Sequence, residues 1–338
     1  MRRCRLYEGV IVRLYGFTEL FYVKGIQDED GKYIILPRYV PHRYGSKVMP
    51  DGARYMVLKS FSEQIRYVKS TVLRKYLTYS YTYGQVLPLV PEQDVASVFD
   101  PIERALEIRL RPRTAIEHVA AELLDVIYAY TSRRSVGVSG SLLAGFVEGV
   151  SDVDIVVIDV DDGEAILENL AELKRVRPSI FDVDKGCLYR LYMYHRETVR
   201  VDYETFLKIW SKRVLEGFYR GVPYFIRILA MRDGVPIVQV QKTRKLGKIS
   251  CMLEIDSTCR TCLSCTTPSL RLAKGPFRNK VMVMSDRGVF TDTLDIVRRF
   301  NVTGIEVEYS RLHIDEYEYE GIALYLGPGT SMSPVSLL

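Results

Sequence analysis

The first hundred residues read as a strand-rich unit of short apolar runs, with polar and apolar positions alternating over Tyr76–Tyr83. Glu8–Leu14, Glu19–Gly25 and Lys32–Leu36 are rich in β-branched and aromatic side chains, and Asp28-Glu29-Asp30-Gly31 separates the last two, so the pattern predicts strands joined by a turn. The same alternation puts three tyrosines of Tyr76–Tyr83 on one face, which predicts a packed strand face; stacking on nucleobases is the competing use of such rings. Asp100-Pro101 and Arg111-Pro112-Arg113 bracket a short helical linker. At Thr114 the period changes: Ile116, Val119, Leu123 and Ile127 recur at helical spacing and predict an amphipathic helix. Ser135–Asp159 then reads as strand, Gly/Ser turn, short helix and second strand. Further on, Val199 and Val201 alternate within Glu197–Asp202 as in a strand, and a helix is expected over Glu204–Glu216.

The candidate chemistry sits in Ser135–Asp159. Gly140 ends the first strand and lets the backbone approach a ligand, while Ser141 opens a helix whose first N–H groups, with its own hydroxyl, suit a phosphate. In the second strand Asp152 and Asp154 point one way and Val153 and Ile155 the other. Two carboxylates held so close repel, and a bound cation resolves the conflict; Mg²⁺ prefers one or two carboxylates plus substrate phosphates. The plainer alternative is a solvated strand edge with Gly140-Ser141 as an ordinary helix cap.

Gly140-Ser141-Leu-Leu-Ala-Gly145 followed by Ser151-Asp152-Val-Asp154-Ile-Val-Val resembles the signature of nucleotidyltransferases of the DNA polymerase beta superfamily, most closely its minimal type. The chain departs from that signature at Leu143-Ala144, where an Ala-Arg pair is frequent, so a phosphate contact is expected from elsewhere. The resemblance implies Mg²⁺-dependent transfer of a nucleotidyl group from an NTP, which binds at Gly140 and Ser141. It also implies a third carboxylate. Asp202 is the first candidate and Asp182 or Asp184 the rival, with an N-cap for the following helix as the structural alternative for Asp202. With Asp152, Asp154 and Asp202 as catalytic ligands, two ions about 3.5–4 Å apart would activate an acceptor hydroxyl and neutralise the leaving pyrophosphate. A looser likeness, including Lys212–Phe218 and Phe225-Ile226-Arg227, connects most of the chain to a group of predicted archaeal nucleotidyltransferases.

Charge bears on the acceptor. Ten Lys/Arg against Glu216 and Asp233 fall between Thr205 and Ser250, while the whole chain carries only +5. Lys208, Lys212, Arg213, Arg220, Arg227 and Lys242-Thr243-Arg244-Lys245 are interleaved with Trp210, Phe218, Tyr219, Tyr224 and Phe225, a mixture suited to RNA or DNA. A solvated helix face with arginines snorkelling from core strands is the competing reading. Transfer onto a protein side chain, and a nucleotidyltransferase fold that binds RNA or a partner protein without turnover, are the alternative functions. Four of six cysteines, Cys251, Cys259, Cys262 and Cys265, lie within fifteen residues, compatible with structural Zn²⁺, an iron–sulfur cluster, disulfides or free thiols. Cys4 and Cys187 read as isolated buried thiols.

From about Gly275 the pattern predicts strands at Lys280–Met284, Gly304–Tyr309 and Gly321–Leu326 and a helix at Thr293–Phe300, as in a small barrel or a strand-rich cap, the barrel being similar in kind to an oligonucleotide-binding fold. No apolar run approaches the length of a membrane span and the Met1-Arg2-Arg3-Cys4 start lacks a signal peptide's apolar stretch, so a cytoplasmic location is expected. With 338 residues, 47% of them apolar, the chain can bury more than one core. The expected class is α+β: a β-rich domain over 1–100, a nucleotidyltransferase core with a mixed sheet and flanking helices over 101–235, and a small Cys-containing, β-rich domain over 236–338.

Overall fold

The short apolar stretches near the N-terminus pair into one antiparallel sheet. In the computed structural model, which describes residues 6–256, 263 and 265–337, the strand order is Lys47–Val48, Arg54–Val57, Lys32–Pro41, Leu20–Glu29, Ile11–Leu14, Val95–Phe99. Gln85–Pro91 also pairs with Lys32–Pro41, and Leu77–Ser80 pairs with Gln85–Pro91. The two longest strands run to the turn itself: Glu29 pairs with Lys32, and Asp30 and Gly31 between them both have positive φ, +55° and +70°. Such a turn twists in the same sense as the strands it joins. The expected packed face of tyrosines does not form. The strand stops at Ser80, Tyr79 and Tyr81 are 47% and 65% exposed, and only Tyr76 of this run is buried.

The whole structure is mixed α+β with several sheets. The chain falls into two compact units, neither bounded at residue 100 or 235: Met1–Ser80, Gln85–Asn169 and Val222–Ile226 form the first, and Tyr81–Gly84, Leu170–Gly221 and Arg227–Leu338 the second. A shared core explains why the N-terminal sheet and the Gly140–Asp154 segment belong to one unit. Leu143, Ala144 and Phe146 are buried against Ile11, Leu20, Tyr39 and Tyr55. Two capped helices support this segment. Asp100 accepts from the backbone N–H groups of Ile102 and Glu103 at the start of Pro101–Leu110, and Thr114 and Glu117 form a reciprocal capping box on Ala115–Tyr128. The first helix lies so close to Val136–Val138 that a Cβ at Gly137 would sit 2.6 Å from the Pro101 carbonyl carbon.

In the second unit, five strands close on themselves. Val238–Ile255, Ser269–Lys274, Val281–Ser285, Tyr317–Tyr325 and Val297–Ile314 are neighbours in that order, and the last pairs back onto the first. All pairings are antiparallel except Val281–Ser285 with Tyr317–Tyr325. The ring closes through the short pairing of Glu254 and Ile255 with Lys274 and Ala273, and Ser331–Leu337 adds a sixth strand along residues 297–303. The helix expected over Thr293–Phe300 ends at Ile296, because Val297, Phe300, Val302 and Ile305 are buried in this unit's core as part of a strand. Glu197–Asp202 is no strand either: one bridge joins Val199 to Met332, and Val199 and Val201 face the core from a turn that leads into Tyr203–Lys212. Among the described residues no helix is long and apolar enough to cross a membrane.

Closing the ring also buries Glu308, whose carboxyl burial pushes up to about 7, with Lys245 opposing and Glu306 adding. Unfolded, the group would titrate near 4.5. Between those values the folded chain holds a proton that the unfolded chain has lost, so stability falls as pH rises from about 4.5 to about 7, by up to about 3 kcal/mol. Urea unfolding at pH 5 and pH 7.5 should show that decline, and Glu308→Gln should flatten it; an equal slope in the variant would assign the decline to other groups.

Candidate functional site

Val136–Val138 and Val153–Val157 pair antiparallel, Val138 opposite Ile155, and the N–H of Ser139 donates to the carbonyl of Asp154 at 2.8 Å. This pairing sets the end of the first strand beside the start of the second. Val222–Ile226, the first part of the strand Val222–Leu229, flanks Val153–Val157 on the other side. The alternation expected of the second strand is present: Val153 and Ile155 are 1% exposed, whereas Asp152 and Asp154 are half-buried.

Gly140 shows most directly why the sequence is written as it is. Its φ is +58°, a region that L side chains rarely adopt, and a Cβ built on it would fall onto Oδ2 of Asp154. Only glycine lets the Asp154 carboxylate lie against the backbone of the turn. The helix that follows, Gly140–Ala144, is just five residues long and ends at Gly145 with φ +82°. A macrodipole needs more turns than this, so any attraction for an anion comes from the first backbone N–H groups, which have no acceptor within the helix. Ser141 is buried, and its Oγ lies 3.4 Å from the hydroxyl of Tyr39.

Two members of the site come from the N-terminal sheet and carry no spacing signal, since each lies about a hundred residues from the motif. One is Tyr39. Burial raises its hydroxyl pKa; Ser141 and Arg38 oppose the rise, and Asp154 and Asp152 add to it. The other is Lys47, 8% exposed, whose Nζ donates to the carbonyl of Gly149 at 2.6 Å. Burial lowers its pKa, and the fields of Asp152 and Asp154 resist that fall. Lys47 is fixed by backbone as well: Val48 bridges Glu148, and a Cβ on Gly149 would collide with the carbonyl of Ser46. Leu143 and Ala144, 2% exposed each, are core residues, so the helix surface where the resembling family often carries arginine is here given over to packing against the N-terminal sheet.

The other candidates lie in the second unit. Asp202 caps Tyr203–Lys212, accepting from the N–H of Thr205 at 2.8 Å and from its hydroxyl at 2.9 Å, and these bonds hold its carboxyl below the ordinary range. Asp184 caps Lys185–His195 in the same way, through the N–H groups of Gly186 and Cys187. Asp182 lies just beyond the helix Pro178–Phe181 and accepts from the N–H of Val183. Among the described residues no three His, Cys, Asp or Glu side chains form a group able to hold a metal by themselves. Asp152 and Asp154 do suit one Mg²⁺ completed by phosphate oxygens: both are hard donors, neither is sealed in the core, and the glycine turn beside them admits a close ligand.

Within the basic and aromatic mixture of residues 205–250 most of the rings are enclosed. Trp210, Phe218, Tyr219 and Tyr224 are buried. Arg213 is 1% exposed, paired with Asp292 at 2.7 Å and Glu216 at 3.1 Å. Lys245 and Lys248 share Glu306, and Arg232 meets Asp315. Lys208, Lys212, Arg220 and Arg244 of the same stretch are exposed. Of the cysteine group, Cys259 and Cys262 lie outside the described residues, as does Cys4. Cys251 and Cys265 are free thiols; Cys265 donates to Asp295 at 3.0 Å and is pushed up to about 12, by burial first. Cys187 is half-buried, with Arg190 donating to its sulfur. Comparison of the chain with protein-family models, with curated proteins and with solved structures finds no match in any of the three.

Proposed function

We propose that the chain is a nucleotidyltransferase that joins the α-phosphorus of a nucleoside triphosphate to an acceptor hydroxyl and releases pyrophosphate. The observation that carries this reading is the Asp154 carboxylate lying against Gly140, where any side chain would displace it, beside a turn of free N–H groups and Ser141. No protein nucleophile is required. The triphosphate would rest on the Gly140-Ser141 turn, which orients it, while Asp152 and Asp154 would hold Mg²⁺ against its oxygens. When bound, the ion supplies charge neutralisation on the leaving group and a lowered pKa for the attacking hydroxyl.

The acceptor is proposed to be a nucleic acid. Support comes from the helix Lys185–His195, which carries Lys185 and Arg190, has no carboxylate, and presents Tyr189 and Tyr194 at 51% and 80% exposure. Rings so placed can stack on bases while the cations meet phosphates. The small closed barrel of the second unit is of a kind that binds oligonucleotides, which is support by analogy of fold alone.

The test is incubation with each labelled NTP, Mg²⁺ and a panel of tRNA, oligonucleotide and protein acceptors. Labelling of a nucleic acid by the wild type, and its loss in Asp152→Asn and Asp154→Asn with melting behaviour intact, is the expected result. Label on a protein would reassign the acceptor; retention of RNA with no label would leave a binding protein.

A further inference from the structure

We propose that Lys47, supplied by the N-terminal sheet, is the residue that binds the triphosphate's outer phosphates; this rests on the function proposed above. Three observations converge on it. First, the motif helix has no cation of its own: Gly140–Ala144 contains none, and Leu143 and Ala144 are sealed in the core shared with Ile11, Leu20, Tyr39 and Tyr55. Second, the strand Lys47–Val48 is locked to the turn that leads into Asp152. Val147 donates to the carbonyl of Val48 at 2.9 Å, Lys47 Nζ donates to that of Gly149 at 2.6 Å, and Gly149, at φ +74°, admits Ser46 at a distance no side chain would allow. Third, a buried ammonium is costly unless it meets an anion. Lys47 gives one N–H to a neutral carbonyl and sits in the fields of Asp152 and Asp154.

An ammonium held by backbone contacts beside a carboxylate pair offers two remaining donors to a polyanion. Carboxylates alone would repel a triphosphate, and Mg²⁺ neutralises only part of its charge. A lysine in this role would favour a triphosphate over a monophosphate that binds at the turn through its single phosphate. Arg38 and Lys59 add to the positive field at Lys47.

The test measures binding by the full-length protein, with Mg²⁺, of a non-hydrolysable ATP analogue and of AMP. Lys47→Gln should weaken the triphosphate analogue roughly 10- to 100-fold, the usual worth of a charged hydrogen bond, and change AMP binding by less than about threefold. Lys47→Arg should recover most of the loss. A purely structural lysine would lower the melting temperature and weaken both ligands alike, and that result overturns the proposal. So does unchanged triphosphate binding in a folded Lys47→Gln protein, which would leave the proposed function standing. If the wild type binds no triphosphate, both fall together.

Discussion

Arg213→Ala will destabilise the second unit by roughly 3–5 kcal/mol and will leave nucleic-acid retention, if the wild type shows it, unchanged. The guanidinium is fully enclosed. It pairs with Asp292 at 2.7 Å and Glu216 at 3.1 Å, donates to the carbonyl of Gly288 at 3.0 Å and lies 4.3 Å from the centre of the Trp210 ring. Burial alone raises both carboxyls; Arg213 opposes this at Asp292 and, together with His195, brings Glu216 below its usual range. Removing the cation strands the Asp292 carboxylate in a dry interior and leaves Glu216 with His195 alone, which is far more costly than the pair is worth. The sign of the pH dependence follows. Without Arg213, Asp292 titrates higher still, so the folded variant binds a proton that the unfolded chain releases, and the deficit widens as pH rises from 5 to 8. Denaturant melts at those two pH values check it. Arg213→Met with Asp292→Leu should recover much of the loss, because apolar packing replaces a buried pair at little cost. A melt indistinguishable from wild type, or a deficit that shrinks toward pH 8, would contradict the role assigned to this residue.

That buried arginine also marks where the sequence leaves depth open. Alternating Lys/Arg and aromatic residues over 205–250 look alike whether the rings are solvated for bases or packed in a core, since composition does not record depth. What could have told them apart is spacing: Phe206, Ile209 and Trp210 fall at i, i+3 and i+4, the period of a buried helical face. The motif itself was legible, because its positions are consecutive and each answers a local demand: glycine for positive φ, apolar residues for the strand interior, aspartates on the alternate face. Asp30-Gly31 was legible for the same reason. Tyr39 and Lys47 were not, because they reach Ser141 and the aspartates through pairing in the N-terminal sheet, which no local period encodes. The same non-local term moved the domain boundary: Leu143, Ala144 and Phe146 look like an isolated apolar helix until Tyr39 and Tyr55 are folded onto them. Glu197–Asp202 alternates correctly but is too short to reveal whether a partner strand exists.

Gly140→Ala separates the chemistry of the turn from its backbone. The substitution has two costs. An alanine at φ +58° pays roughly 1–2 kcal/mol for the left-handed backbone, and its methyl would occupy the place of Asp154 Oδ2, so the carboxylate must turn away. Gly145 isolates the first cost: it sits at φ +82° in the same short segment, with nothing within 4 Å of a built Cβ. The two alanine variants should therefore lose similar stability, within about 1 kcal/mol, while their activities diverge. Displacing a ligand-holding carboxylate by about an ångström can cost on the order of 100-fold in rate, so Gly140→Ala should reduce labelling by at least that factor. Gly145→Ala should stay within a few-fold of wild type. Melting curves and initial rates measured side by side decide it. Equal activity losses in the two variants would mean that the turn acts through rigidity alone, and the close seat of Asp154 on Gly140 would have no part in the reaction.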